Sequence, residues 1–237
     1  MSGSFFSTKR NRLVAYSIGY PPGHNSGSGL PLVVMLHGFG ANHARALFNL
    51  TPAQAVALAG AGGAPLPPMA LVTVDGGNGY WNAHPGDDPM GMLVDELIPR
   101  CQALGLGRSR IGAMGVSMGG YGALLLAEKH PTLVHAVAAI SPAIWTSYGQ
   151  ARVANAGAYA SAAAFTANDA VTHASALAGM PVRVAAGYGD PFYPGVQALA
   201  AALPAGSVAD FSKGCHDGPF FTEQEPASLQ FLARNLA

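Results

Sequence analysis

The sequence predicts an α/β fold: a mostly parallel central sheet with helices on both faces and a small cap. Three observations carry this. Short continuous apolar runs recur along the 237 residues, each bounded by Gly, Pro, Asn or Asp. Helical patterns alternate with those runs, the order that builds parallel strands joined by crossover helices. Half of the residues are apolar and 10% are charged, enough apolar surface to bury one well-packed core.

Residues 5–20 (FFSTKRNRLVAYSIGY) read as one or two opening strands, closed by Pro21 and Pro22. The Gly/Ser/Asn-rich stretch from His24 to Gly29 is a turn. LPLVVML (30–36) is a strand buried on both faces, and it stops at His37-Gly38-Phe39-Gly40. Residues 52–62 then read as a helix. MALVTVD (69–75) is the next buried strand. Asp88 before Pro89 marks a helix start, with the helix reaching about Leu104. RIGAMGV (110–116) is a strand running straight into Ser117 and a helix from about Gly119 to His130. VHAVAAI (134–140), PVRVAAG (181–187) and VADFS (208–212) complete the strands, and a helix from about Glu223 closes the chain. Between Ser141 and Met180 lie two helical patterns and no strand. Residues 1–237 are therefore expected to form one domain, with 141–180 as a cap insertion.

Composition excludes several function classes. Lys+Arg and Asp+Glu both number 12, and no basic block stands out, so nothing points to nucleic acid. No run of 18 apolar residues exists, so no membrane span is expected. Two cysteines, Cys101 and Cys215, offer neither a disulfide framework nor a CxxC pattern and read as free thiols. The start, MSGSFFSTKRNR, lacks the apolar core of a secretory signal. That favours a cytoplasmic chain, with a secreted mature form as the alternative.

Gly115-Val116-Ser117-Met118-Gly119 is a GxSxG between a buried strand and a helix. Its physical logic is steric. A serine on a tight strand-to-helix turn exposes its hydroxyl as a nucleophile, and side chains two residues to either side would strike the turn. A serine nucleophile needs a base that follows it in the chain. Beyond residue 190 the one histidine is His216, in the loop after the last strand. The acids between them are Glu128, Asp169, Asp190 and Asp210. Glu128 lies on the helix after the nucleophile, Asp169 suits a helix cap, and Asp210 sits within a strand. Asp190 follows a strand at the carboxyl end of the sheet, where sites of open α/β folds collect. It is the leading candidate, with Asp169 and Asp210 as competitors. Oxyanion donors are expected from the backbone N–H of Met118 and of Phe39, and His37 reads as a structural hydrogen-bonder.

LHGFG, DGGNGYW, GVSMGGYGALLLAEKHP, GYGDPF and CHDGPFF together resemble the esterase D-like branch of the α/β-hydrolases. That branch includes S-formylglutathione hydrolases, feruloyl-type esterases and mycolyltransferases. The likeness runs from about Leu30 to the end and is most specific around Ser117 and His216. It implies the α/β-hydrolase fold and a carboxylic-ester hydrolase or acyltransferase with Ser117, Asp190 and His216 as triad. It also implies that Trp81, Gly76 and Gly77 border the acyl pocket. The substrate implied is a small-molecule ester, with no metal and no organic cofactor. The region 141–180 matches no particular substrate group; low aromatic content and the lack of an apolar lid favour short acyl chains. The rival readings are an acyltransferase using the same acyl-enzyme and a silent binding protein; a thiol enzyme using Cys215 is disfavoured because serine occupies the turn.

Overall fold

Eight strands form one open sheet in the order β1-β2-β4-β3-β5-β6-β7-β8. They are β1 (Ser2–Ser7), β2 (Arg12–Gly19), β3 (Leu32–Leu36), β4 (Ala70–Val74), β5 (Ile111–Val116), β6 (Ala136–Ile140), β7 (Val182–Gly187) and β8 (Val208–Ser212). The β1–β2 and β2–β4 pairs are antiparallel and all others are parallel. The computed structural model describes residues 1–46 and 66–237, so the helix expected over 52–62 lies outside the described residues.

The apolar runs are strands because the sheet is covered on both sides. Every residue of β3 through β7 is buried. Alternate residues feed two cores, the period of a pleated strand. Leu32, Val34 and Leu36 pack on one face with helices that include Met118–Lys129. Val33 and Met35 pack on the other, against Phe220, Phe221, Leu229 and Leu232 of the closing helix. Full burial of each such side chain stabilises by about 1.5–3 kcal/mol, so the two cores hold the strands in register.

Chain order reverses at the centre of the sheet. From β3 the chain steps to β4 on one side, then crosses back over β3 to β5 and continues outward through β6, β7 and β8. Leu36 pairs with Gly115, so β3 and β5 end level. Their following loops, His37 onward and Ser117 onward, therefore meet at the switch point, where open α/β sheets place ligands.

The helices follow their caps. In α1, Pro89–Met92 and Ile98–Ala103 are α-helical, with a π-helical stretch over Leu93–Leu97 between them. The Asp88 side chain accepts the Gly91 N–H at 2.8 Å, and Pro89 needs no donor in the first turn. Pro99, which has no N–H to continue the ladder, sits just beyond the π stretch. Helix α2 (Met118–Lys129) follows Ser117 directly. The stretch 141–180 holds α3 (Tyr148–Ala154), α4 (Ala162–Thr166), α5 (Ala170–His173) and a 3₁₀ turn, Ala174–Leu177, where two helical patterns were expected. Ser147, Ser161 and Asp169 cap the three short helices, which is why they break where they do. Helix α5 and the 3₁₀ turn pack on α2, so this half of the stretch joins the helical layer. Helix α6 (Tyr193–Ala202) was not assigned from sequence; its Ala-rich face is buried at Val196 and Leu199. Helix α7 (Gly218–Leu236) starts at Gly218 rather than near Glu223, because the Asp217 side chain accepts the Phe220 N–H at 3.1 Å.

Glu128, on α2, is buried, and neither carboxyl oxygen has a hydrogen-bond partner among the described residues. Burial, and secondarily the charge of Asp169, push its pKa up to about 9. The folded state thus holds the proton more tightly than the unfolded chain, where a glutamate titrates at about 4.3. Its stabilising effect is complete below that unfolded value and is lost as pH rises towards 9. Glu128→Gln, always neutral, is expected to melt higher than wild type at pH 8–9 and to show a flatter dependence of Tm on pH between 5 and 9. Parallel melting profiles for the two proteins would contradict the assignment.

Candidate active site

Ser117 occupies the turn between β5 and α2 with φ 56° and ψ −122°, a region a side chain adopts only under constraint. The surrounding glycines show why. A Cβ on Gly115 would overlap the carbonyl of Gly119, and one on Gly119 would overlap the carbonyl of Leu36 at the end of β3. The serine backbone is fixed on both sides: its N–H donates to the Ile140 carbonyl at 2.9 Å, and its carbonyl accepts from Tyr121 and Ala143, both at 3.0 Å.

Three polar side chains meet above the sheet. Ser117 Oγ lies 2.8 Å from His216 Nε2, and His216 Nδ1 lies 2.9 Å from Asp190 Oδ2. The Asp190 side chain is fully out of solvent, whereas the imidazole is partly accessible. The other oxygen, Oδ1, accepts the Phe192 N–H at 2.8 Å, which pins the carboxylate. An ionised Asp190 leaves the imidazole Nδ1 as donor and Nε2 free to accept the serine hydroxyl proton. The ring stands between Phe192 and Phe221, each with its centroid 5.0 Å away.

The loops carrying Asp190 and His216 are joined by close backbone contact. Gly189 N–H donates to the Gly214 carbonyl at 2.8 Å, and a Cβ on Gly187 would overlap that same carbonyl. These glycines were not singled out from sequence, although GYGD and KGCH each place one beside the acid or base. The competing acids have other work. Asp210 pairs with buried Arg183 at 2.6 Å, and Asp169 caps α5 through the Val171 N–H at 3.0 Å.

The loop after β3 passes over the serine: a Cβ on Gly38 would sit 3.6 Å from Ser117 Cβ. Fully buried His37 organises that loop. Its Nε2 accepts the Gly76 N–H at 2.9 Å, so the ring proton is on Nδ1, which donates to the Gly38 carbonyl at 2.8 Å. Desolvation lowers the His37 pKa and keeps the ring neutral. Because the peptide is trans, holding the Gly38 carbonyl on one side directs the Phe39 N–H to the other. Gly40 N–H donates to Asn78 Oδ1 at 2.8 Å, a second tie that sequence did not reveal. Among the described residues the N–H groups of Phe39 and Met118 have no acceptor.

Trp81 and Gly76 pack beneath the loop that carries His37, and Gly77 lies on its exposed side. Trp81 has no solvent exposure and donates from Nε1 to the His37 carbonyl at 3.2 Å. Gly76 leaves room for the Trp81 ring, and Gly77, at φ +68°, leaves room for Arg10. The cleft that reaches Ser117 and His216 has a volume of about 280 Å³ and is lined by Gly38, Phe39, Ala41, Arg45, Ala46, Val116 and Phe221. Both cysteines are free; Cys101 is buried, which pushes its thiol up to about 12, and Cys215 is exposed beside His216. Among the described residues no group of three or more His, Cys, Asp or Glu is arranged to hold a metal ion.

The Esterase family model matches residues 7–201. The chain belongs to this family. It is an esterase acting on a small-molecule carboxylic ester, with the α/β-hydrolase fold. No curated protein sequence matches it significantly. Among solved structures, a ferulic acid esterase aligns with a TM-score of 0.76 at 18% identity, covering 99% of this chain and 97% of its own. The S-formylglutathione hydrolase of Agrobacterium tumefaciens aligns at 0.75 and 18%, covering 100% and 95%. MPT51 (FbpC1) of Mycobacterium tuberculosis aligns at 0.72 and 16%, covering 99% of both chains. At such identities the likeness speaks for the fold. Among the described residues no helix of this esterase is long and apolar enough to cross a membrane.

The strained turn generates a stability prediction. Ser117→Gly is expected to raise stability by about 1 kcal/mol, roughly 2–4 °C in Tm, because glycine adopts φ > 0 without penalty. Gly119→Ala is expected to lower Tm by more than that, since the atom struck is backbone. Thermal melts of the three proteins check both signs.

Proposed function

We propose that Ser117, His216 and Asp190 form the catalytic triad of this esterase and hydrolyse the ester through an acyl-enzyme. The observation that carries the reading is the unbroken hydrogen-bonded chain from Ser117 Oγ through both imidazole nitrogens to buried Asp190. Ser117 Oγ attacks the ester carbonyl as its proton passes to His216 Nε2, and Asp190 steadies the imidazolium that forms. The N–H groups of Met118 and Phe39 receive the oxyanion, each contributing about 3 kcal/mol. Collapse of the tetrahedral intermediate breaks the C–O bond, and His216 protonates the leaving alcohol. A water deprotonated by the same histidine then releases the acid and restores the serine.

We assign short acyl chains to the site; a cleft of about 280 Å³, walled by Phe39 and Phe221, supports this. The cap we assign to the stretch 141–180 has its best support in the first half. There Trp145 packs on Phe192 at 4.6 Å, next to the catalytic loop, and donates to Tyr80 Oη at 2.9 Å.

Ser117→Ala is expected to leave less than a thousandth of wild-type turnover on p-nitrophenyl acetate, with the fold intact. Asp190→Asn is expected to lose about ten-thousandfold in kcat, because the amide favours the wrong imidazole tautomer. Asp210→Asn should instead cost about 1–3 kcal/mol of stability, by removing the negative charge opposite the buried Arg183 guanidinium, with kcat retained. Steady-state kinetics and melts of the purified variants decide it. Near-normal turnover by Asp190→Asn would remove Asp190 from the triad.

A further inference from the structure

One cation lines the cleft that reaches Ser117. Arg45 ends a short 3₁₀ turn, His43–Arg45, directly after the loop that crosses the serine. The turn is anchored from both sides. Asp75 Oδ1 accepts from the His43 backbone N–H and from its Nδ1, both at 2.8 Å, and Asn42 Oδ1 accepts the Ala44 N–H at 3.0 Å. The backbone at Arg45 is thus held beside the cleft, and the residue is exposed.

This guanidinium forms no ion pair or side-chain hydrogen bond among the described residues. Three acids on neighbouring segments are committed elsewhere: Asp75 to His43, Asp190 to His216, and Asp217 to the cap of α7. The stretch 47–65 contains no Asp or Glu. Apart from His216, the other described lining residues are Gly, Ala, Val and Phe and the serine itself, so no described residue of the wall carries a negative charge. An arginine stays charged at any working pH, and its planar fork matches a carboxylate. A fixed positive charge over apolar walls raises the local concentration of an anionic substrate.

We infer that Arg45 is a specificity residue that selects esters carrying a free carboxylate on the acyl or the alcohol part. The inference rests on Ser117 being the nucleophile of this cleft. The carboxylate would meet the guanidinium while the ester carbonyl reaches Ser117.

The test compares kcat/KM within two matched pairs, using the full chain. Ethyl hydrogen adipate against diethyl adipate probes a carboxylate on the acyl part; 4-acetoxybenzoate against methyl 4-acetoxybenzoate probes one on the alcohol part. In at least one pair the anionic-to-neutral ratio is expected to fall about fivefold in Arg45→Gln, the scale of an exposed ion pair. It should fall further in Arg45→Glu, recover in part in Arg45→Lys, and shrink for wild type in 0.5 M salt, about three times the ionic strength of physiological buffer. Ratios unchanged by Arg45→Gln and Arg45→Glu in both pairs would overturn the inference and leave the triad standing. Failure of folded wild type to hydrolyse any of the four esters would instead overturn the reading of Ser117.

Discussion

The backbone of Ser117 is the constraint around which the molecule is arranged. A residue with a side chain at φ 56° persists only where its surroundings leave no alternative. Here β5 is central in the sheet, and its last residues are flanked by the ends of β3 and β6. The helix after Ser117 begins so close to β3 that Gly119 lies against the Leu36 carbonyl, and Gly120 lies near the Ile140 carbonyl. Both peptide groups of the serine are hydrogen-bonded to neighbouring segments. The strain is thereby held by the packing of three strands and a helix, and the hydroxyl is presented above the strand ends with no core contact to lose.

A second arrangement brings a base and an acid to that hydroxyl from far along the chain. The parallel pairing of β7 with β8 sets Gly187 opposite Ser212, so the loops leaving the two strands start side by side. Glycines at 187, 189 and 214 let those loops touch through their backbones. Towards the other end of the same strand pair, buried Arg183 bonds Asp210 on β8 and both Gln224 and Ser228 on α7. Phe192 and Phe221 then confine the imidazole, which limits the freedom it loses on reaching the serine. A buried polar network with every member satisfied is rigid, and this corner needs rigidity more than net stability.

The loop over the serine is tuned from beneath by neutral His37 and the indole of Trp81. These groups never face the cleft. The cleft wall is made by the loop itself, by a short turn with Arg45, and by the first turn of α7. Catalytic geometry is therefore built on strand ends and buried polar ties, and substrate contact on loops that can change without disturbing them. Solved structures at 15–18% identity share the fold over nearly the whole chain, which fits this division.

The strand order along the chain, the elbow at Ser117 and the histidine that meets it, His216, were legible in the sequence because each has a local cause. Apolar runs mark strands buried on both faces, GxSxG records a steric requirement within five residues, and His216 is the sole histidine in the last fifth of the chain. The start of α7 and the helix at Tyr193–Ala202 were misjudged or missed, because a single Asp217 cap and an alanine-rich face carry little local signal. Its place after a strand at the carboxyl end of the sheet made Asp190 the leading carboxylate in the sequence; the meeting of two loops is what separates it from Asp210 and Asp169. Trp81 packs against Gly76 and Gly122 and bonds the His37 carbonyl, a set of contacts that no local pattern records. Sequence determines what each segment can do alone; which side chains meet across the switch point depends on strand register and backbone contact between segments far apart in the chain, and that only the folded structure decides.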